Sequence, residues 1–456
     1  MNGMGGKNST WLRCIGCGHK TNLLEERQFA CPICGNLYDV EHKYQQLPFS
    51  SFCEIFDQRA KTIGGISPET TSGIWRFWEW VMPHLPKKSI VSLGEGNVPI
   101  VRAGKNLKKW IGPVDLYLIL EGMTPTGSFK DFGGTVMMSV AKAAGIKAIG
   151  CASTGDTSAM AAAYATAAGI DCAVILPEGK ITPAQLAQPL VHGAKVITLP
   201  GTFDDCMQVV KELVNAGKLF PANSLNPTRI EGHQATVFLL AQHFGWQLPD
   251  WIALPVGNGS NCSSVGKAMR LMKTLGFDQK TSRILGCQSE AAHPLAKSFD
   301  KTELEFMNRM VNKNRAEGDP LPFTASEWLD NYLEQKNVGE TTATAALIGK
   351  PVSFKKVVRE VVASNGHMNM ARESMLNEAV AVCGRDGYFV CPQTGTALAG
   401  VKRAIEDGTI VKGSTIAVVS TANGLKFTES AAAGLMKNII PAKDCHTETV
   451  AKILGL

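Results

Sequence analysis

The sequence predicts an α/β protein in which two lobes are built on parallel sheets, with a small zinc ribbon at the N-terminus. From about residue 115 onward, short β-branched runs alternate with alanine-rich or amphipathic stretches, which is the pattern of βα units. Two Cys-x-x-Cys pairs precede that region, as in metal-binding modules. A chain of 456 residues exceeds the usual size of one core, so a bilobal unit with a small appendage is expected.

The composition is that of a globular protein, with 45% hydrophobic and 19% charged residues. The net charge of +6 is small and the basic residues are scattered, which does not indicate a nucleic-acid surface. The start of the chain is polar, and no run approaches the roughly 20 apolar residues that span a bilayer. We therefore expect a cytoplasmic protein that binds neither nucleic acid nor a membrane.

The predicted metal ligands are Cys14, Cys17, Cys31 and Cys34. Glycine follows each pair closely, which predicts two knuckles that approach across a short hairpin. Four thiolates complete the tetrahedral shell of zinc, and the bound metal supplies folding energy that a module of about 30 residues cannot obtain from a core. Because all four ligands come from the protein, the site would be structural. The alternative is four thiols that bind no metal and have a structural or redox role. A redox pair is expected beside a βαβ unit, and the sequence predicts no such unit here.

Seven strands and several helices are predicted beyond the ribbon. The strands are 116–120, 148–152, 172–176, 195–199, 252–256, 284–288 and 415–420, and the helices include 135–144, 158–168, 183–192 and 204–216. The aromatic segment before them is expected to form helices and loops that pack on the main body. The polar segment 297–340 is interpreted as a surface insertion. The predicted division is 1–44 for the ribbon, 45–100 for the helical segment, 101–430 for the α/β region and 431–456 for a C-terminal helical extension.

Three loops that follow predicted strands carry chemically useful residues, and sheets of this kind bind ligands beyond the carboxyl ends of their strands. Loop 125–133, PTGSFKDFG, places Lys130 near a helix N-terminus, where the positive dipole end favours the neutral amine. Loop 153–158, STGDTS, gathers hydroxyls and free amides at a helix start, which suits an anion. Loop 257–261, GNGSN, lets the backbone close on a phosphate. Taken singly, each has a simpler interpretation: a solvated lysine, an N-cap and a turn.

Together the three loops resemble the fold type II enzymes that use pyridoxal phosphate (PLP), whose fold is that of the tryptophan synthase β subunit. The motifs LGEGNVP at 93–99 and STANGLKF at 420–427 narrow the resemblance to the threonine synthase family. It covers residues 90 to 430, and a zinc ribbon also occurs in some members. The phrases CASTGDTS, ANSLN and CPQTG resemble the plant-type branch.

The resemblance implies that Lys130 forms the Schiff base with PLP and shuttles protons. A subdomain at about 135–235 would be mobile. Asp156 would face the phenolic oxygen of the cofactor, and Thr421 would bond its pyridine nitrogen, leaving that nitrogen unprotonated. The remaining cofactor residues would be Phe129 and Asp131 beside the lysine and, around the phosphate, Gly257, Asn258, Gly259, Ser260 and Asn261.

The implied reaction converts O-phospho-L-homoserine and water to L-threonine and phosphate, in a homodimer. The substrate would be bound by Ser153, Thr154, Thr157, Ser224, Asn226 and Arg229. The planar fork of Arg229 suits two phosphate oxygens. Rival functions are threonine dehydratase and a β-replacement synthase acting on phosphoserine. A catalytically silent regulatory homologue is a further alternative, against which the intact Lys130 argues.

The sequence departs from the commoner family pattern at three places. Asp156 stands where many members have Asn, and a carboxylate beside a phenolate requires a shared proton or a nearby cation. Phe132 replaces a common Arg, and the pair Gly259 and Ser260 alters the phosphate loop. These differences leave the choice of substrate open.

Overall fold

The structure is a computed structural model that describes residues 9–26, 29–62, 65–153, 155–179, 183–300, 329, 332–429 and 436–456. Its strands lie in three sheets. In chain order they are β1 (Thr10–Cys14), β2 (Lys20–Asn22), β3 (Tyr38–His42), β4 (Ile100–Arg102), β5 (Asp115–Leu120), β6 (Ala148–Cys151), β7 (Asp171–Pro177), β8 (Lys195–Leu199), β9 (Phe220–Pro221), β10 (Trp251–Pro255), β11 (Arg283–Ser289), β12 (His367–Ala371) and β13 (Thr415–Ser420).

The α-helices that lie wholly within the described residues alternate with the strands through most of the chain. They are α1 (Phe49–Lys61), α2 (Pro68–Thr71), α3 (Trp78–Val81), α4 (Lys105–Ile111), α5 (Lys130–Ala143), α6 (Asp156–Ala168), α7 (Pro183–Val191), α8 (Phe203–Asn215), α9 (Thr228–His233), α10 (Ala235–His243), α11 (Ser260–Thr274), α12 (Phe354–Ala363), α13 (Glu373–Arg385), α14 (Pro392–Glu406) and α15 (Thr447–Leu454). Within the described ranges, no helix is both long and apolar enough to cross a bilayer.

Two parallel sheets form the two lobes, which confirms the predicted class. The larger sheet has the order β12-β11-β10-β13-β5-β4, and only β4 runs antiparallel to its neighbour. The smaller sheet has the order β8-β7-β6-β9 and is parallel throughout. Crossover helices connect the strands, as parallel pairing requires.

All seven predicted strands are present, and three strands of the α/β region were not predicted. The strands β4 and β9 have three and two residues, too few for a periodic signal. Strand β12 reads HMNMA and contains no β-branched or aromatic residue other than its histidine ring. Most of the predicted insertion at 297–340 lies outside the described residues.

The three N-terminal strands form a separate antiparallel sheet with the order β2-β1-β3. Downstream of it, the aromatic segment 45–100 packs on the body as expected. Phe56 and Trp80 are fully buried with ring centroids 4.8 Å apart, and Trp80 also contacts Phe238 of α10. The Trp75 indole N–H donates to the hydroxyl of Thr135 in α5 at 2.8 Å.

The topology brings loops 125–133, 153–158 and 257–261 to one place, together with the segment that follows β13. Strands β10, β13 and β5 are neighbours in the larger sheet, so the loops that leave their carboxyl ends are neighbours too. The loop after β6 and the segment after β9 face them from the smaller sheet, where these two strands are also adjacent. A ligand site between the lobes follows from this arrangement.

Candidate active site

A cavity of about 350 Å³ opens between the two lobes, at the carboxyl ends of these strands. Thirteen of the predicted site residues line it: Phe129, Lys130, Ser153, Asp156, Thr157, Ser224, Arg229, Gly257, Asn258, Gly259, Ser260, Asn261 and Thr421. Thr154 lies outside the described residues. The remaining two, Asp131 and Asn226, lie behind the cavity wall.

Lys130 is the first residue of α5, at the junction that the sequence indicated. Its Nζ lies 3.7 Å from the centroid of the Phe129 ring. Burial, together with the nearby Arg229 cation, lowers the pKa of Lys130 to about 7, and Asp156 opposes part of the change. A substantial fraction of neutral amine is therefore present near neutral pH, which is the form that attacks an aldehyde.

The loop between β10 and α11 forms a tight cradle for an anion. Gly259 has φ +87°, and a Cβ there would lie 2.5 Å from Cγ2 of Val357. A Cβ on Gly257 would lie 3.2 Å from Cα of Ala346. The first amides of a helix have no intrahelical acceptor, so those of α11 are available to a phosphate. Among the described residues, both side-chain amide atoms of the buried Asn261 lack a partner.

Arg229 is a buried cation with spare hydrogen-bonding capacity. Its side chain is 1% exposed, and its Nη1 donates to the carbonyl of Ala222 at 3.2 Å. In the described part of the chain, its Nε and Nη2 have no acceptor. Burial lowers the pKa of Arg229 to about 10, so the group remains charged at neutral pH. An unpaired buried guanidinium in a cavity wall is suited to an anionic ligand.

Asp156 begins α6 and is paired with a cation, which meets the requirement noted from the sequence. Lys426 Nζ lies 3.4 Å from Oδ1 of Asp156. Lys426 was not among the predicted site residues. Its position within the motif at 420–427, together with the need for a cation, was the signal that could have found it.

Thr421 lies at the end of β13 within a chain of buried hydroxyl and thiol groups. Its Oγ1 is 3.6 Å from Sγ of Cys391, which is 3.2 Å from Oγ1 of Thr394. The neighbouring Gln393 also lines the cavity, and sequence reasoning missed it although it lies in the quoted motif CPQTG. Gln393 is 5% exposed, and within the described ranges its amide oxygen and nitrogen have no partner.

Asp131 and Asn226 were expected to contact ligands, and the geometry places them in supporting positions. Both side chains are completely buried. The carboxylate of Asp131 accepts from the amide and hydroxyl of Thr126 at 2.8 and 2.5 Å, which shapes the loop before Lys130. The side chain of Asn226 bonds Pro221 and Thr228, which shapes the start of α9. Neither side chain lines the cavity, and direct contact of these two residues with a ligand stays a prediction from the sequence.

The residues present fit PLP and an anionic substrate. The glycine cradle and the N-terminus of α11 suit the cofactor phosphate, and Lys130 supplies an amine of lowered pKa. Arg229, Asn261 and Gln393 carry buried polar atoms without protein partners in the described structure. Buried polar atoms usually form a hydrogen bond with the protein, with water or with a ligand. A bound ligand would satisfy them.

The four predicted metal ligands also come together, away from this cavity. All four sulfurs lie within 4.8 Å of one another, with Cys14 and Cys34 at 3.4 Å and Cys17 and Cys31 at 3.6 Å. A tetrahedral zinc with Zn–S bonds of about 2.3 Å would hold its sulfurs roughly 3.8 Å apart. The spacing therefore fits a closed tetrahedral site.

Comparison with known proteins agrees with the fold and the cavity. Residues 91–422 match the family described as pyridoxal-phosphate dependent enzyme. Threonine synthase of Escherichia coli superposes with a TM-score of 0.63 over 96% of this chain and 94% of its own, at 18% identity. Threonine deaminase isoform 2 of Solanum lycopersicum superposes with a TM-score of 0.57 over 87% and 95%, at 15% identity. The fold and the site thus define a PLP-dependent enzyme.

Closer relatives narrow the family. The chain is 35% identical to threonine synthase of Methanocaldococcus jannaschii over 92% of this chain and 93% of that protein. It is equally similar, at 35%, to threonine synthase 2, chloroplastic, of Arabidopsis thaliana over 89% of this chain and 74% of that one. The chain belongs to the threonine synthase family of PLP-dependent enzymes.

Proposed function

We propose that this chain carries out the threonine synthase reaction, in which O-phospho-L-homoserine and water give L-threonine and phosphate. The observation that supports it is the cavity shared by Lys130 and the unpaired guanidinium of Arg229. One group handles protons and the other binds a phosphate, and the reaction requires both. The names of the curated relatives support the same conclusion.

Lys130 is the proposed proton carrier. PLP, when bound, delocalises the negative charge that develops on substrate carbon atoms. The amine of Lys130, with its pKa near 7, can remove the proton from Cα and then a proton from Cβ, and return one at Cγ after phosphate leaves. Water then supplies a hydroxyl at Cβ, and a proton returns to Cα, which completes threonine.

The polar residues of the cavity are assigned to the two anionic ends of the bound molecules. We assign Gly257, Asn258, Gly259, Ser260 and Asn261 to the cofactor phosphate, and Ser153, Thr157, Ser224 and Arg229 to the substrate. Thr154 remains a proposal from the sequence. Thr421 is placed opposite the ring nitrogen and Asp156 opposite the phenolic oxygen. Phe129 contacts the lysine itself.

Structural zinc is proposed at Cys14, Cys17, Cys31 and Cys34, on the sulfur spacing and the ribbon topology. Metal analysis of purified protein should give one zinc per chain, and Cys17→Ser should lower that content. Cys445→Ser, at an exposed cysteine far from the ribbon in the chain, is the matched control and should leave the zinc content unchanged. Full zinc content in Cys17→Ser would contradict the assignment.

Further features of the whole protein also remain proposals. We propose a cytoplasmic homodimer that uses only small-molecule partners. We also propose the domain division 1–44, 45–100, 101–430 and 431–456. Within the third domain, a subdomain at about 135–235 is proposed to move. Size-exclusion chromatography with light scattering tests the dimer, and a monomer at working concentration would exclude it.

The test of the function separates it from its rivals. The purified PLP-loaded enzyme is incubated with O-phospho-L-homoserine, with O-phospho-L-serine and with L-threonine, and the products are identified by mass spectrometry. Threonine and phosphate should form from the first. Product formation from O-phospho-L-serine and from neither other substrate would favour a β-replacement synthase. Formation of 2-oxobutanoate from L-threonine, with no product from the other two substrates, would favour a dehydratase. Absence of any product, with no cofactor absorbance that borohydride bleaches, would favour a silent homologue.

A further inference from the structure

Lys426 joins several of the segments that build the active site. It lies in the short 3-10 turn that follows β13. Its ammonium donates to the carbonyl oxygen of Thr126 at 2.9 Å and to Oε1 of Gln188 at 2.6 Å, and lies 3.4 Å from Oδ1 of Asp156. These partners belong to the loop before Lys130, to α7 and to the start of α6. One cation therefore contacts both lobes.

The ion pair of Lys426 and Asp156 is largely removed from water. The two side chains are 16% and 9% exposed. Coulomb attraction is much stronger here than between solvated charges, and a carboxylate left alone at this depth would be costly. The pair is thus energetically significant, unlike the exposed ion pairs of the surface.

Lys426 lines a second cavity that adjoins the main cavity at Asp156. This second cavity has a volume of about 760 Å³ and also shares Gly155, Thr344 and Phe427 with the main cavity. Asp156 therefore borders both cavities, and its cation partner borders the second.

We propose that Lys426 is a positioning residue that holds the carboxylate of Asp156 in place at the cavity wall and offsets its charge, so that this carboxylate can face the phenolic oxygen of PLP. A carboxylate and a phenolate repel each other, and a cation beside the carboxylate offsets that repulsion. The inference rests on the proposed function, because Asp156 faces a phenolic oxygen only if the cavity holds PLP.

A purely mechanical role for Lys426 makes a different prediction. The Nε2 of Gln188 also donates to the carbonyl of Thr126, at 3.2 Å, so this link between α7 and the lysine loop does not need the ammonium. If Lys426 served only as a tie between segments, its removal would have the same effect whether or not Asp156 carried a charge. A double-mutant cycle separates the two roles.

The experiment measures PLP affinity by titrating the apoenzyme of each variant and recording the visible spectrum of the bound cofactor. Lys426→Met should weaken PLP binding about tenfold, which corresponds to about 1.4 kcal/mol of lost interaction free energy. It should also shift the absorption band of the bound cofactor. Lys426→Arg should retain most of the affinity. In an Asp156→Asn background, Lys426→Met should weaken binding less than about threefold, because the charge to be compensated is gone. Lys412→Met, at an exposed lysine before the same strand, is the control and should behave like the parent.

Two results would overturn the proposal. One is an equal loss of affinity from Lys426→Met in the parent and in the Asp156→Asn background, which would indicate a mechanical tie. The other is PLP binding in Lys426→Met that matches the Lys412→Met control. If Lys426→Met does not fold, as judged by circular dichroism, Lys426→Gln, which is also uncharged, replaces it in the parent and in the Asp156→Asn background, and the same two results decide. PLP titration requires no threonine formation, so it remains valid even if the proposed substrate is wrong.

Discussion

Two regions of the molecule bury polar and charged groups, and they differ in whether those groups have partners within the protein. In the ribbon seam, defined as Asp39, His42, Glu231, Lys267 and Lys356, the buried carboxylates pair with buried lysines. His42, whose pKa is lowered by burial, hydrogen-bonds Glu231. Lys356 lies 2.8 Å from Asp39, and Glu231 bonds both His42 and Lys267. In the cavity, polar atoms of Arg229, Asn261 and Gln393 lack protein partners among the described residues.

The comparison distinguishes the buried polar groups that stabilise the fold from those that are available to bind a ligand. Paired charges in the seam attach β3 of the ribbon to α9, α11 and α12, and their hydrogen bonds are made within the protein. The same helices serve the cavity: α9 carries both Arg229 and Glu231, and residues two apart on a helix point to different faces. One face of α9 is anchored while the other presents a free cation.

The largest expected effect in this comparison is at Lys130, on the cavity side. Lys130→Ala should lower turnover by about 10³-fold or more, because it removes the proton carrier and the amine that binds the cofactor. The fold should persist, since Lys130 is not one of the residues that form the ribbon seam. Turnover is measured by phosphate release and folding by circular dichroism. A variant that turns over within tenfold of the parent would contradict the assignment.

On the seam side, Glu231→Ala should destabilise the protein without altering its chemistry. Loss of a fully buried carboxylate leaves Lys267 without its anion, at a cost of about 3–5 kcal/mol in the free energy of unfolding. Glu41→Ala is the matched control, because Glu41 on β3 forms its ion pair with the exposed Arg13 and should cost less than about 1 kcal/mol. Denaturant unfolding measures both. Equal stability of the two variants would remove the distinction between the regions.

Arg229→Met should give the opposite result to Glu231→Ala, although the two residues share α9. We expect kcat/KM for phosphohomoserine to fall about 100-fold, since a charge-assisted phosphate contact is lost. The free energy of unfolding should stay unchanged or rise, because an unpaired buried charge is replaced by an apolar side chain of similar length. Activity assays and denaturant unfolding test both halves. A large loss of stability would mean that Arg229 belongs with the seam residues.

Much of the fold was predictable because its signals are local. Every predicted strand matches the structure within one residue at each end. Strand-loop-helix order singled out Lys130 and the cradle 257–261, and the family motif at 420–427 singled out Thr421. All of them line one cavity, and their roles stay predictions. Strand β12 escaped because its own residues carry little strand preference, and its burial comes from the helices that pack on it. The four cysteines were predictable because their spacing encodes the site.

What the sequence could not show depends on contacts between distant segments. Lys426 and Asp156 are far apart in the chain, and Gln393 becomes a cavity residue only when α14 is placed against β13. The seam has the same character, since His42 and Glu231 are 189 residues apart. Asn226 and Asp131 show the converse: their motifs matched the family, yet their side chains are used within the protein.

The smallest expected effect concerns the rate at which the apoenzyme takes up PLP. The folded-state pKa of Lys130, about 7, lies below its usual value near 10.4, so the reactive neutral amine should predominate above pH 7. Uptake should therefore rise about tenfold per pH unit below this midpoint and level off above it, whereas a solvated lysine would continue to rise. Stopped-flow absorbance measures the rate, which is divided by the rate of a simple amine expressed per neutral amine molecule at the same pH, so that only the titration of PLP itself is removed. Because Arg229 contributes to the lowering, Arg229→Met should move the midpoint to higher pH, and Glu231→Ala should not.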